Sequence, residues 1–135
     1  MTRLNRRTGY VCLAVAIVGM FAVFTSAGVA KEGGPQILVI AGPSTHPPGT
    51  HEVAAGARLL EYCLEHAEGV GPIRAEVLFS WPADKTLLDS TASVVFIGDI
   101  FPPEFMDRPD QIKKELGAMM DRGCGLVCIH YATGL

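Results

Sequence analysis

The run Gln36-Ile37-Leu38-Val39-Ile40-Ala41, broken at once by Gly42-Pro43, decides how the rest of the chain is read. Five of its six residues are apolar and three are β-branched, with no polar alternation. A strand of that kind is buried on both faces, the condition of a strand inside a parallel sheet. Parallel neighbours cannot be joined by a hairpin and need a crossover of a dozen or more residues. The chain downstream has the pattern to supply one.

The segment Gly42-Pro43-Ser44-Thr45-His46-Pro47-Pro48-Gly49 reads as a loop. Thr50 is the expected helix N-cap, and Glu52 in the first turn would meet the positive end of the helix dipole. Val53, Ala57, Leu60 and Leu64 recur at helical spacing, and the helix is expected to end near His66. Ala75–Phe79 reads as a second strand, Thr86–Asp89 as a short helical turn, and Ser93–Gly98 as a third strand. The prolines of the loop Asp99-Ile100-Phe101-Pro102-Pro103-Glu104-Phe105 exclude a regular continuation. A second helix is expected from Asp107 or Pro109 to Arg122, with Ile112, Leu116, Met119 and Met120 inward and Gly123 closing it. The strand Leu126–Ile129 follows. Apolar strands alternating with amphipathic helices give an α/β fold with a parallel sheet, flanking helices and right-handed crossovers.

Upstream of the first strand, residues 1–30 read as a signal peptide. Arg3, Arg6 and Arg7 form a basic start, Val11–Phe24 is uncharged and apolar, and Thr25-Ser26-Ala27-Gly28-Val29-Ala30 offers small residues for cleavage. The apolar run falls short of the roughly 20 residues a spanning helix needs. The expectation is export, to the periplasm or the outside, with membrane attachment only through an uncleaved leader. Three of the 11 basic residues lie in the leader, leaving 8 against 14 acidic ones, a net charge of −6. No basic stripe remains, which argues against nucleic acid as a partner. Cys63, Cys124 and Cys128 are too few and too sparse for a disulfide framework and read as small buried side chains. Cys124 and Cys128, four apart on a strand, share a face but stand about 13 Å apart and cannot bridge.

Loops that follow parallel strands share one edge of the sheet, and ligands bind there in open α/β folds. Those loops hold His46, His51 and Glu52 after the first strand and Trp81 after the second. Asp99 and Glu104 follow the third, and His130 follows the fourth. Three of the four histidines are therefore expected at one edge; His66 belongs at a helix end, where an imidazolium suits the dipole. Plainer roles exist for several of them. His51 and Glu52 suit a first helical turn, His46 can hydrogen-bond its own loop, and Asp99 can cap a turn behind Gly98. A histidine at a buried strand end is harder to assign to packing, so His130 is the candidate catalytic residue, with His46, His51, Glu52 and Asp99 as candidate ligand contacts. The spacing of His46 and His51 with a distant His130 permits a metal site. No Gly-x-Ser-x-Gly elbow, Gly-x-Gly-x-x-Gly run or P-loop occurs, so the sequence names no nucleotide or other cofactor.

Two stretches carry a family resemblance. Ala41-Gly42-Pro43-Ser44-Thr45-His46-Pro47-Pro48-Gly49-Thr50-His51-Glu52 with Ala55-Gly56-Ala57-Arg58-Leu59-Leu60, and Gly125-Leu126-Val127-Cys128-Ile129-His130-Tyr131-Ala132, resemble the trehalose-utilisation (ThuA-like) family, most of all its exported bacterial members. The resemblance spans about residues 36 to 135. It implies a flavodoxin-like fold similar to class I glutamine amidotransferases, a role in disaccharide breakdown, and a carbohydrate as the ligand. It also implies a domain of which this chain forms the N-terminal part. His130 stands where amidotransferases place a nucleophilic cysteine, so glutamine hydrolysis is not implied. Exported relatives carry His-Glu-His in the first motif; here the third position is Val53. A non-catalytic binding or scaffold module, or a fragment inactive on its own, is the alternative reading.

Overall fold

The computed structural model describes residues 33–133. The elements in chain order are β1 (Gln36–Ala41), α1 (Val53–Glu65), β2 (Arg74–Leu78), α2 (Lys85–Ser90) and β3 (Thr91–Gly98). A 3-10 turn (Pro102–Phe105), α3 (Pro109–Asp121) and β4 (Gly125–His130) complete the series. The four strands are all parallel, in the order β2-β1-β3-β4. That order is the flavodoxin-like, doubly wound one. The leader read in residues 1–30 lies outside the described residues. Among the described residues no helix is long and apolar enough to cross a membrane.

Strand order dictates which face each helix covers. The chain moves outward one way from β1 to β2, then crosses back over β1 to β3 and continues to β4. Right-handed crossovers in opposite directions place their helices on opposite faces. Accordingly α1 packs Val53 and Ala57 on Val39, Ala41 and Val95, with Ile37, Val77, Ile97 and Ile129 around them. On the other face α2 and α3 pack Leu88, Leu116 and Met119 against Leu38, Ile40, Val94 and Phe96. Alternate residues of β1 thus serve opposite cores, which is why the run is apolar throughout. Phe96 is fully buried, with Phe101 edge-on at 5.1 Å and Trp81 at 6.5 Å between ring centroids.

The helix ends show local chemistry at work. Asp84 caps α2 by accepting a bond from Thr86 N at 2.8 Å. Gly123, at φ +94°, ends α3: its N–H donates to Met120 O, and Cys124 N–H donates to Met119 O. This paired closure satisfies carbonyls that the helix end would leave open. Arg122 then donates to Thr91 O and Leu88 O, tying the end of α3 to the α2–β3 junction.

Three expectations about these elements need correction. Thr50 does not cap α1: the helix begins at Val53 behind Glu52, and no side chain caps it. Thr50 is instead tied into a turn by its N–H to Pro47 O. Met120 is 46% exposed, because it lies about 100° round the helix from Met119 and turns past the sheet. Cys63 is exposed on the outer side of α1, whereas Cys124 is buried and Cys128 half-buried on the α3 face.

Candidate functional site

The strand order reverses between β1 and β3, and ligands in such folds bind at that switch point beyond the carboxyl ends of the strands. Here the loops after β1 and β3 meet closely. Gly42 N–H donates to Ile97 O at 2.8 Å, and a Cβ on Gly98 would lie 3.4 Å from Gly42 Cα and 3.3 Å from Ile100 O. The absence of side chains at Gly42 and Gly98 lets the β3 loop carry Asp99 across to the β1 loop.

Asp99 is the centre of what gathers there. Its side chain is 1% exposed. Oδ2 accepts from Thr45 N at 2.6 Å, His46 Nδ1 at 2.8 Å and Thr45 Oγ1 at 3.0 Å, with Ser44 Oγ 3.4 Å away. His46 first, and then the Thr45 N–H, hold the Asp99 carboxyl well below the usual carboxylate range, against the opposing effect of burial. Asp99 Oδ1, also buried, has no hydrogen-bond partner. The groups nearest it are His51 Nδ1 at 3.4 Å and His130 Nε2 at 3.8 Å. Those two ring nitrogens lie 3.3 Å from each other.

The β1 loop is held in place by its own polar groups. Ser44 Oγ donates to His51 O at 2.9 Å, and Glu52 Oε1 accepts from Gly49 N. Glu52 therefore works as a clamp on the loop, although it also lines the depression described below. His46 and His51 are brought together with ring centroids 4.2 Å apart, and His51 meets His130 edge-on at 4.5 Å.

His130 ends β4 at φ +63°, in the left-handed region that side chains with a Cβ rarely adopt. A non-glycine residue held there is strained, and such strain collects at functional sites. The backbone thus makes an elbow at this position, with an imidazole at its turn. The nearest thiol, Cys128, lies within the strand on the opposite face, and burial pushes it up from its ordinary range. It is a poor nucleophile in that state.

His51, Glu52, Val53, Ile97, Gly98, Ile129 and His130 line an open depression of about 240 Å³. This is below the roughly 300–1,000 Å³ typical of drug-sized ligand sites, so the depression suits a small polar molecule or one ring of a larger one. On the other side of the β1 loop, Ala41, Gly42, Pro43, Phe79, Pro102, Phe105 and Met106 border a second, mainly apolar hollow.

The structure brings His46, His51, Asp99 and His130 together and leaves other candidates apart. Trp81 turns away and donates to Glu115 Oε2 at 2.8 Å, while Glu104 pairs with Lys113 at 3.2 Å. His66 lies at the end of α1, bonded to Tyr62 O. Val53 is buried as the first contact of α1 with the sheet. Sequence reasoning missed Thr45, whose two donors orient Asp99, and Ser44, which ties the loop to His51 O. Their only signal was their place beside His46 in a loop rich in proline and glycine. No family model, curated protein or solved structure matches this chain.

Proposed function

We propose that the chain is an exported, ThuA-like domain of sugar catabolism that binds a carbohydrate or an oxidised sugar at the carboxyl edge of its sheet. The observation that carries this reading is the convergence of three imidazoles on the buried Asp99 at the switch point, with one of them on a strained strand end. Polyhydroxyl ligands need closely spaced groups that both donate and accept, which imidazole and carboxylate side chains supply. The adjoining hollow presents Phe79 and Phe105, 53% and 49% exposed, as surfaces for the C–H face of a sugar ring.

In this reading His130 contacts the substrate directly. It transfers a proton at the reacting carbon or oxygen, or holds that oxygen in place; imidazole is suited to proton transfer near neutral pH. Asp99 fixes the orientation of the histidines around it, and His46 and His51 complete the polar wall. The motif resemblance supports the sugar as ligand class and a disaccharide as the first to test.

Calorimetry of the full chain against a disaccharide panel, paired with product analysis, tests the proposal. Turnover or binding is expected, and His130→Ala is expected to abolish turnover or weaken binding. Unchanged behaviour of that variant in both assays overturns the assignment of His130. Binding without any product favours the alternative, a non-catalytic carbohydrate-binding module.

A further inference from the structure

Asp99 divides its two oxygens in a way that ordinary loop stabilisation does not explain. Oδ2 takes three donors, enough to anchor the β1 loop without help. Oδ1 is buried, unbonded, and faced by two ring nitrogens. Buried acceptors are satisfied in native proteins, and exceptions call for a specific partner, an ion among them.

The three facing atoms form a triangle with edges of 3.3, 3.4 and 3.8 Å. The nearest equidistant point lies in their plane about 2.0 Å from each, and an ion raised about 0.7 Å from that plane toward a fourth ligand stands about 2.1 Å from each, within the roughly 2.0–2.2 Å of zinc bonds to imidazole nitrogen and carboxylate oxygen. Ligands of a four-coordinate ion at such bond lengths stand about 3.3 Å apart, whereas octahedral coordination at about 2.1 Å brings neighbours to about 3.0 Å. The observed edges favour four-coordination.

We propose that His51 Nδ1, His130 Nε2 and Asp99 Oδ1 bind one divalent metal ion of the zinc class, leaving a fourth position for water or a substrate oxygen. Two imidazoles and a carboxylate with one open position make a donor set of the catalytic rather than the structural kind. His51 protonated at Nε2 and His130 at Nδ1 leave the two facing nitrogens free as ligands. His46 belongs to the outer layer. Its Nδ1 is bonded to Asp99 Oδ2, and an outer partner of this kind orients a ligating carboxylate. The ligand atoms of His46, His51 and Asp99 do lie within 4.8 Å of one another, but the short bond to Oδ2 commits His46 to support. The elbow at His130 then acquires a purpose, since it turns the imidazole at the end of β4 back toward the β1 and β3 loops. This inference rests on the same cluster as the proposed sugar site and assigns His130 the positioning of a substrate oxygen rather than proton transfer.

The test uses the full chain stripped with a chelator, then titrated with Zn²⁺ by calorimetry and with Co²⁺ by visible absorption. One equivalent of Zn²⁺ is expected to bind, and Co²⁺ to give the intense bands of a four-coordinate ion. His51→Ala and His130→Gly should each lose binding, His46→Ala should weaken it by roughly 10–100-fold as an outer partner does, and His66→Ala should leave it unchanged. Glycine relieves the left-handed backbone at 130, so His130→Gly is expected to fold as the parent does, which circular dichroism checks. Failure of the parent chain to take up Zn²⁺, an octahedral Co²⁺ spectrum, or retained binding in His130→Gly overturns the proposal. Metal uptake without affinity for any disaccharide overturns only the sugar reading; disaccharide binding by a chain that takes up no Zn²⁺ overturns only the metal site.

Discussion

At position 130 a histidine occupies backbone space that favours glycine, with φ at +63°. Left-handed geometry costs a residue with a Cβ about 1–2 kcal/mol, and glycine gives back about 0.5–1 kcal/mol through its freer unfolded chain. His130→Gly is therefore expected to raise stability by about 0.5–1 kcal/mol, read as a higher urea midpoint with an unchanged slope. A clear loss of stability would show that the imidazole contributes more to the fold than its backbone strain removes. The sequence singled out this histidine because an apolar strand delivered it to a functional edge. The strain could not be read there, since nothing in the run Gly125–Ile129 distinguishes a left-handed end from a regular one. Asp99 gives the complementary case. It could be placed after a strand, but a turn-capping role was the plainer reading until the two loops were seen to meet.

Among the elements, α3 carries the best-defined polar network. Glu115 accepts from Gln111 Nε2 at 2.9 Å and Trp81 Nε1 at 2.8 Å, and lies 3.4 Å from Lys85 Nζ. Gln111 above all, then Trp81, holds the Glu115 carboxyl below its ordinary range, and its side chain is 23% exposed. A depressed carboxyl stabilises the fold above its unfolded pKa, near 4.5, and that contribution disappears as pH falls through the folded value. Glu115→Gln should cost about 1 kcal/mol at neutral pH, the partly exposed lysine adding little. The difference from the parent should shrink below about pH 4.5, a loss that thermal melts across pH 3–7 would show. An undiminished difference in acid would contradict the ionised network. Phe96→Ala, in the core beneath Trp81 and Phe101, should cost about 3–5 kcal/mol by denaturant titration. Strands and helices were legible to within two residues in most cases because burial on two faces and helical periodicity are local patterns. Thr50 was misread because its loop closes through Pro47 O and Glu52, bonds that a capping pattern does not encode.

On the scale of the whole molecule, the sheet has two borders among the described residues, β2 and β4. β4 pairs only with β3 and carries Val127, 46% exposed, on the face where α1 does not reach it. An edge strand with an exposed apolar side chain invites pairing with another chain. Val127→Lys is expected to shift the protein toward monomer in light scattering after size exclusion, with its circular dichroism unchanged; an unaltered distribution would clear this edge of that role. The sequence by itself determined the α/β class, the parallel sheet and the edge at which His46, His51, Asp99 and His130 gather. Apolar strands with no alternation require cover on both faces, and parallel strands put their following loops on one side. Only the tertiary structure decided the strand order β2-β1-β3-β4, and with it the switch point that separates those four residues from Trp81 and Glu104. Which loops touch depends on contacts between residues more than fifty positions apart, such as Asp99 with Thr45 and His46. No local pattern in the chain carries that information.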